Sequence, residues 1–141
     1  MITRTAQAVW NDTLKRGGGT VRFGDVERPY SFASRFEQAG GTNPEELIGA
    51  AHAGCFSMAL ALVLGEDDHE PKAIRTTATV TLDPDQLAIT KVELETEGEV
   101  PGLDETGFLE AAEKAKAVCP VSKALAGVEV VLKAARLAEP A

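Results

Sequence analysis

Positive charge is what this chain has least of. Its 14 Lys and Arg face 22 Asp and Glu, for a formal charge of -8 at pH 7. That balance argues against nucleic-acid binding, which rewards clustered cations. No polybasic patch offers a hold on a membrane surface. The opening stretch MITRTAQAVWND has no apolar h-region, so a signal peptide is not expected. Cysteine and histidine are scarce too, with two of each. Neither CxxC nor HxxxH spacing occurs, so no metal is expected at Cys55, Cys119, His52 or His69. Two cysteines make no disulfide framework, and 141 residues bury a core without one. Repeats, low-complexity tracts and linkers are absent, so 1–141 reads as a single domain. A short acidic chain of this kind, with no export signal, is expected in the cytoplasm, where thiols stay reduced unless their chemistry makes them switch.

The chain does have clear periodicity. Ala6–Asn11 and Thr20–Phe23 read as short strands joined by a turn around Arg16-Gly17-Gly18-Gly19, with Pro29–Phe36 as a third, less regular strand. Asn43 as N-cap and Pro44 at the first helical position start a helix that runs to Leu64 and stops at Gly65. Ile74–Leu82 and Leu87–Val100 alternate and predict an antiparallel hairpin closed at Asp83-Pro84-Asp85. Asp104–Val118 is helical, Pro120 restarts a short helix over Val121–Leu125, Val128–Leu132 is a last strand, and the tail to Ala141 is expected to fray. The order is α+β, with antiparallel strands and helices packed on them. The stretch Ile48–Leu64 is apolar nearly all round, so a buried core helix suits it better than a membrane span. Gly49, Ala50, Ala53, Gly54 and Ala61 would admit another backbone; a second subunit is the economical cover, and the chain's own two sheets wrapped around the helix are the alternative.

The residues with chemistry to offer are few. Cys55 lies mid-helix in apolar surroundings, where desolvation raises a thiol pKa; Cys119 precedes Pro120 at a helix start, where free amides favour a thiolate. Local physics alone therefore makes Cys119 the reactive thiol, and leaves Cys55 as a small core hydrophobe unless a cation reaches it. Ile48–Leu64 contains no Lys or Arg, so Arg35 and Arg16 are the nearest candidates in sequence. His52, one turn before Cys55, is either a base beside a thiol or a core histidine with its hydrogen bonds made. Glu46 falls at N3 of the long helix and suits capping, which leaves Glu45 free. Ten residues of helix put Glu45 roughly 15 Å along the axis from Cys55. It cannot touch the thiol, but it can hold an arginine that does.

GTNPEELIGAAHAGCFSMALAL followed by AKAVCPVSKAL resembles the OsmC/Ohr family, and its OsmC branch in particular. KRGGGTV, PYSFASRFE, LAITKVELE and VPGLD extend the resemblance over nearly the whole chain. The resemblance implies an OsmC-like fold of antiparallel sheets wrapped around long central helices in an intertwined homodimer. It implies a thiol peroxidase that reduces organic hydroperoxides, and hydrogen peroxide more weakly, in oxidative and osmotic stress defence. Cys55 then matches the peroxidatic cysteine, Cys119 the resolving one, Glu45 the glutamate of the NPE motif and Arg35 the arginine of SRFE. In the Ohr branch the arginine comes from the first turn, here the Arg16 region. The implied reductant is a dithiol, a lipoyl-bearing protein for Ohr members, and no cofactor is implied. The apolar residues around Phe56 and Met58 would suit an alkyl hydroperoxide. Two rival functions use the same features: an apolar cavity that binds a lipid or acyl ligand, and a thiol sensor whose oxidation alters a partner surface.

Overall fold

Glycine shapes the first hairpin. In the computed structural model, which describes residues 1–138, β1 (Ala6–Asn11) pairs antiparallel with β2 (Gly18–Phe23). A Cβ at Gly19 would collide with the Val9 carbonyl, so the strand itself begins in the glycine run. β2 turns through Gly24-Asp25, with Gly24 at φ 56, into β3 (Val26–Ser31). The sheet order is β1-β2-β3. Pro29 sits on the edge strand β3, where its missing N–H costs no ladder bond.

The expected third strand over Pro29–Phe36 is corrected here. The strand ends at Ser31, and Phe32–Phe36 forms a short helix, α1. The reason is a reciprocal cap. Ser31 Oγ accepts from the Ser34 N–H at 3.1 Å, and Ser34 Oγ accepts from the Ser31 N–H at 2.8 Å.

The long helix α2 (Pro44–Glu66) starts as expected: Asn43 Oδ1 accepts from the Glu46 N–H at 2.8 Å, with Pro44 next to the cap. Its end differs slightly. Gly65 stays helical, and the turn closes where Asp68 takes φ 59 and the His69 N–H reaches the Leu64 carbonyl at 2.9 Å. α2 is long and apolar enough to cross a membrane by length and composition alone. Phe56, Leu60 and Leu64, however, are buried in a protein core.

That core belongs to the larger of two compact units. The first spans Met1–Leu47 and the second starts at Ile48. In the second unit β4 (Ala73–Asp83) and β5 (Ala88–Glu99) form the expected antiparallel hairpin. α3 (Glu105–Val118), capped by Asp104, and α4 (Pro120–Ala124) lead to β6 (Glu129–Leu137). β6 pairs with β5 in parallel, which corrects the all-antiparallel expectation. A strand that follows its neighbour through two helices is a crossover, and it re-enters the sheet in the same direction. β6 also continues past Leu132 to Leu137, so much of the supposed frayed tail is strand; residues 139–141 lie outside the described residues. β5 alternates as an amphipathic strand should: Val92 and Leu94 join the core with Phe56, Leu60 and Phe108, and Thr96 is buried on the same face. Outward, Glu97 meets Arg75 and Arg136, while Glu93 meets Lys91 and Lys133.

Candidate active site

The Cys119 sulfur is held at the junction of two helices. Its N–H still closes α3 onto the Ala115 carbonyl at 2.9 Å, while its own φ and ψ of −62° and 119° leave the helix. Pro120 then starts α4, because a residue before proline is pushed out of the α region. This break aims a fully buried side chain at α2. There the Cys119 and Cys55 sulfurs stand 3.2 Å apart, within hydrogen-bonding reach across 64 residues of sequence. Both cysteines are free thiols, and Cys55 is half-buried.

Their environments pull them apart. Burial pushes Cys55 up; the Val121 N–H opposes this, and the neighbouring Cys119 sulfur adds to it, leaving the thiol above its ordinary value. Burial also pushes Cys119 up, but there it loses. The Ser122 N–H, the Ser122 hydroxyl, the Cys55 thiol and the Val121 N–H together hold Cys119 below its ordinary value. These amides face the sulfur without closing a capping hydrogen bond of ordinary geometry, and their dipoles act all the same. The local preference for Cys119 as the readier thiolate therefore stands in three dimensions.

His52 is fully buried on α2. Its Nε2 lies 2.7 Å from Ser122 Oγ, and its Nδ1 has no hydrogen-bond partner among the described residues. Burial lowers its pKa and keeps the ring neutral. His52 is thus a core histidine with half of its hydrogen bonding made. Ser122 was not singled out from the sequence, although its position three residues after Cys119 puts it on the same side of a helical turn.

The first unit holds a second constellation. Arg35, in the last turn of α1, grips Glu45 with both prongs: Nε donates to Oε1 at 2.9 Å and Nη2 to Oε2 at 3.0 Å. Bidentate arginine–carboxylate geometry of this kind fixes direction as well as charge. The scaffold under it is polar and buried. Ser34 Oγ donates to the Thr42 carbonyl at 2.7 Å, Asn43 Nδ2 donates to the Ser34 carbonyl at 3.0 Å, and the Thr42 N–H donates to the Pro29 carbonyl at 2.9 Å. Gly41, at φ 111, makes that last approach possible. Glu46 does what its N3 position predicts, and its carboxylate also accepts from the Thr42 hydroxyl at 3.0 Å. Arg16 instead pairs with Asp12 at 3.2 Å in an exposed turn.

Residues 37–133 match the model of the OsmC-like protein family. The chain belongs to the OsmC family. It is 52% identical over 129 residues to the Escherichia coli K12 protein named Peroxiredoxin OsmC, covering 88% of this chain and 90% of that one. It is 36% identical over 107 residues to the organic hydroperoxide resistance protein OhrA of Bacillus subtilis, covering 73% and 72%. The crystal structure of an organic hydroperoxide resistance protein OsmC from Legionella pneumophila superposes with a TM-score of 0.71 at 25% identity, over 99% of this chain and 100% of that one.

On this OsmC scaffold the expected residues fall into two pairs, Cys55 with Cys119 and Arg35 with Glu45. The expected apolar wall divides. Phe56 points into the core and is fully buried, whereas Met58 is 76% exposed. Two residues along a helix is about 200° of rotation, so the two side chains cannot line one surface.

Proposed function

We propose that the protein is a two-cysteine thiol peroxidase that reduces organic hydroperoxides, and hydrogen peroxide more weakly. The observation that carries the reading is the meeting of Cys55 and Cys119 at 3.2 Å in reduced form, in a chain of the OsmC family. Relatives named peroxiredoxin and organic hydroperoxide resistance protein support the substrate class.

The chemistry assigns each residue a role. The Cys55 thiolate attacks one peroxide oxygen; the O–O bond breaks, an alkoxide leaves and takes up a proton to become the alcohol, and Cys55 becomes a sulfenic acid. The Cys119 thiolate attacks that sulfur, the disulfide forms, and hydroxide departs to be protonated to water. A dithiol, a lipoyl-bearing protein being one source, exchanges with the disulfide and returns both thiols. Cys55 cannot supply a thiolate unaided, since its surroundings raise its pKa. Arg35, oriented by Glu45, is the cation assigned to it; the guanidinium stabilises the sulfur anion and polarises the peroxide.

The working form is a homodimer. α2 exposes Ala51, Gly54, Met58 and Leu62 at helical spacing, an apolar stripe that water covers poorly and a second copy covers well. The chain acts as one domain, and the cytoplasm keeps its thiols reduced between turnovers. Oxidative and osmotic stress defence is the setting in which this activity is used.

The test is direct. Wild type given a stoichiometric pulse of an alkyl hydroperoxide should lose two hydrogens in intact mass, and should turn over when dihydrolipoamide is present. Cys55→Ser should show neither. Cys119→Ser should consume one equivalent and stop at a trappable sulfenic acid. Turnover by Cys55→Ser at the wild-type rate would overturn the mechanism, and oxidation without turnover would make the protein a sensor.

A further inference from the structure

Ser122 has one proton and two neighbours that want it. One is His52 Nε2, at 2.7 Å. The other is the Cys119 sulfur: Cys119 is the N-cap of α4 and Ser122 its N3 residue, the position whose side chain turns back towards the cap. A hydroxyl donates once but accepts twice, so the histidine tautomer decides where the Ser122 proton goes. If Nε2 is bare, Ser122 donates to it and the sulfur is left without that donor. If Nε2 carries the proton, the ring donates to Ser122 Oγ and the hydroxyl is free to donate to Cys119.

The rest of the ring settles the choice. Nδ1 is sealed from solvent and has no partner among the described residues. A proton on Nδ1 would be a buried donor with nowhere to go, a rarer and costlier defect than an idle lone pair. A doubly protonated ring would bury a charge as well, and burial keeps His52 neutral. The favoured ring is neutral with its hydrogen on Nε2. An apolar side chain would fill this site on α2 without leaving any nitrogen unpaired, so the histidine does more than pack.

We infer that His52 is a positioning residue for the resolving thiol: its Nε2–H donates to Ser122 Oγ, and the Ser122 hydroxyl thereby points its hydrogen at the Cys119 sulfur. The inference rests on the two-cysteine reading above and adds two residues to it. The titratable groups acting on Cys119 within its unit are Cys55, directly, and His52, through Ser122. In the catalytic sequence the chain steadies the sulfur as an anion before attack on the Cys55 sulfenic acid. His52 itself neither gains nor loses a proton. The step it assists is closure of the disulfide, with hydroxide as the leaving group, and not the attack of Cys55 on peroxide.

The test separates this inference from the peroxidase reading. In a Cys55→Ala background, where Cys119 is the only thiol, ultraviolet thiolate absorbance reports the Cys119 anion without any peroxide. His52→Leu and Ser122→Ala should each lower the thiolate fraction at neutral pH about tenfold, the size expected for one lost hydrogen bond to a charged group. The double variant should be no worse than either single one, because both break the same chain. His52→Gln places an amide N–H near the lost Nε2–H and should restore most of the anion. Nitrogen NMR of the reduced protein should show His52 protonated at Nε2 and bare at Nδ1. With Cys55 present, a peroxide pulse should form the Cys55 sulfenic acid at the normal rate in Ser122→Ala, while disulfide closure slows about tenfold. An unchanged thiolate fraction in Ser122→Ala and His52→Leu, or an Nδ1–H tautomer, overturns the relay. If wild type forms no sulfenic acid at Cys55, the peroxidase reading fails, and the thiolate comparison still decides the relay.

Discussion

Two identical functional groups 3.2 Å apart differ because their surroundings differ. Cys119 is as buried as any residue in the chain, yet donors gathered at the α3–α4 break outweigh that burial. Cys55 has no such set, and that gap is what Arg35 is assigned to fill. Arg35→Ala should therefore slow Cys55 oxidation by peroxide at least about a hundredfold, a scale typical of losing one group that stabilises developing charge. Arg35→Lys should recover only part of the rate, since an ammonium cannot hold Glu45 with two parallel hydrogen bonds; single-turnover kinetics checks both. The opposite pKa shifts also predict opposite stability trends. Cys119 loses its proton in the fold before it does so in the unfolded chain, so between those two values the unfolded state binds more protons and stability rises with pH. Cys55 does the reverse, and stability falls as pH rises from the unfolded thiol value, about 8.5, towards its higher folded value. Urea denaturation should show a midpoint that rises with pH below about 8.5 in Cys55→Ala, and one that falls with pH above about 8.5 in Cys119→Ala.

At the scale of elements, the short helix α1 is the feature to explain. Five residues cannot sustain a helix by propensity, and α1 persists because Ser31 and Ser34 cap each other and Ser34 is tied to Thr42, just ahead of α2. Ser34→Ala removes one accepted and one donated hydrogen bond at a buried site, from the Ser31 N–H and to the Thr42 carbonyl, and should cost about 2 kcal/mol in chemical denaturation. It should also slow peroxide attack, because Arg35 sits on the turn it anchors. A slower reaction with unchanged affinity of the disulfide for its reductant is the expected pattern; a normal rate would detach α1 from the chemistry. This element was hidden in the sequence. PYSFASRF alternates well enough to read as a strand, and only the paired serines carry the helical signal.

For the molecule as a whole, the unpartnered stripe on α2 is the main open face. Leu62 is 60% exposed there, beyond Met58. Leu62→Lys should leave the circular dichroism unchanged and shift sedimentation from dimer to monomer, since a charge on the seam must be desolvated in the dimer. A dimer that survives this change would place the interface elsewhere.

Much of the molecule was legible from residues alone. The long helix, its Asn43 cap, the β4–β5 hairpin and the Pro120 break follow from local rules, because capping, alternation and the steric demand of proline act over a few neighbours. The spare carboxylate of Glu45 was legible for the same reason: N3 capping occupies Glu46 and leaves the previous residue free. The parallel entry of β6, its extension to Leu137, and the His52–Ser122 contact across 70 residues were not. Each depends on which distant segment arrives beside which. Sequence by itself determined the chemical groups and most of the elements that carry them. Tertiary structure decided that the two thiols meet and that His52 reaches Ser122, because hydrogen bonds and desolvation act over a few ångströms of space, whatever the separation along the chain.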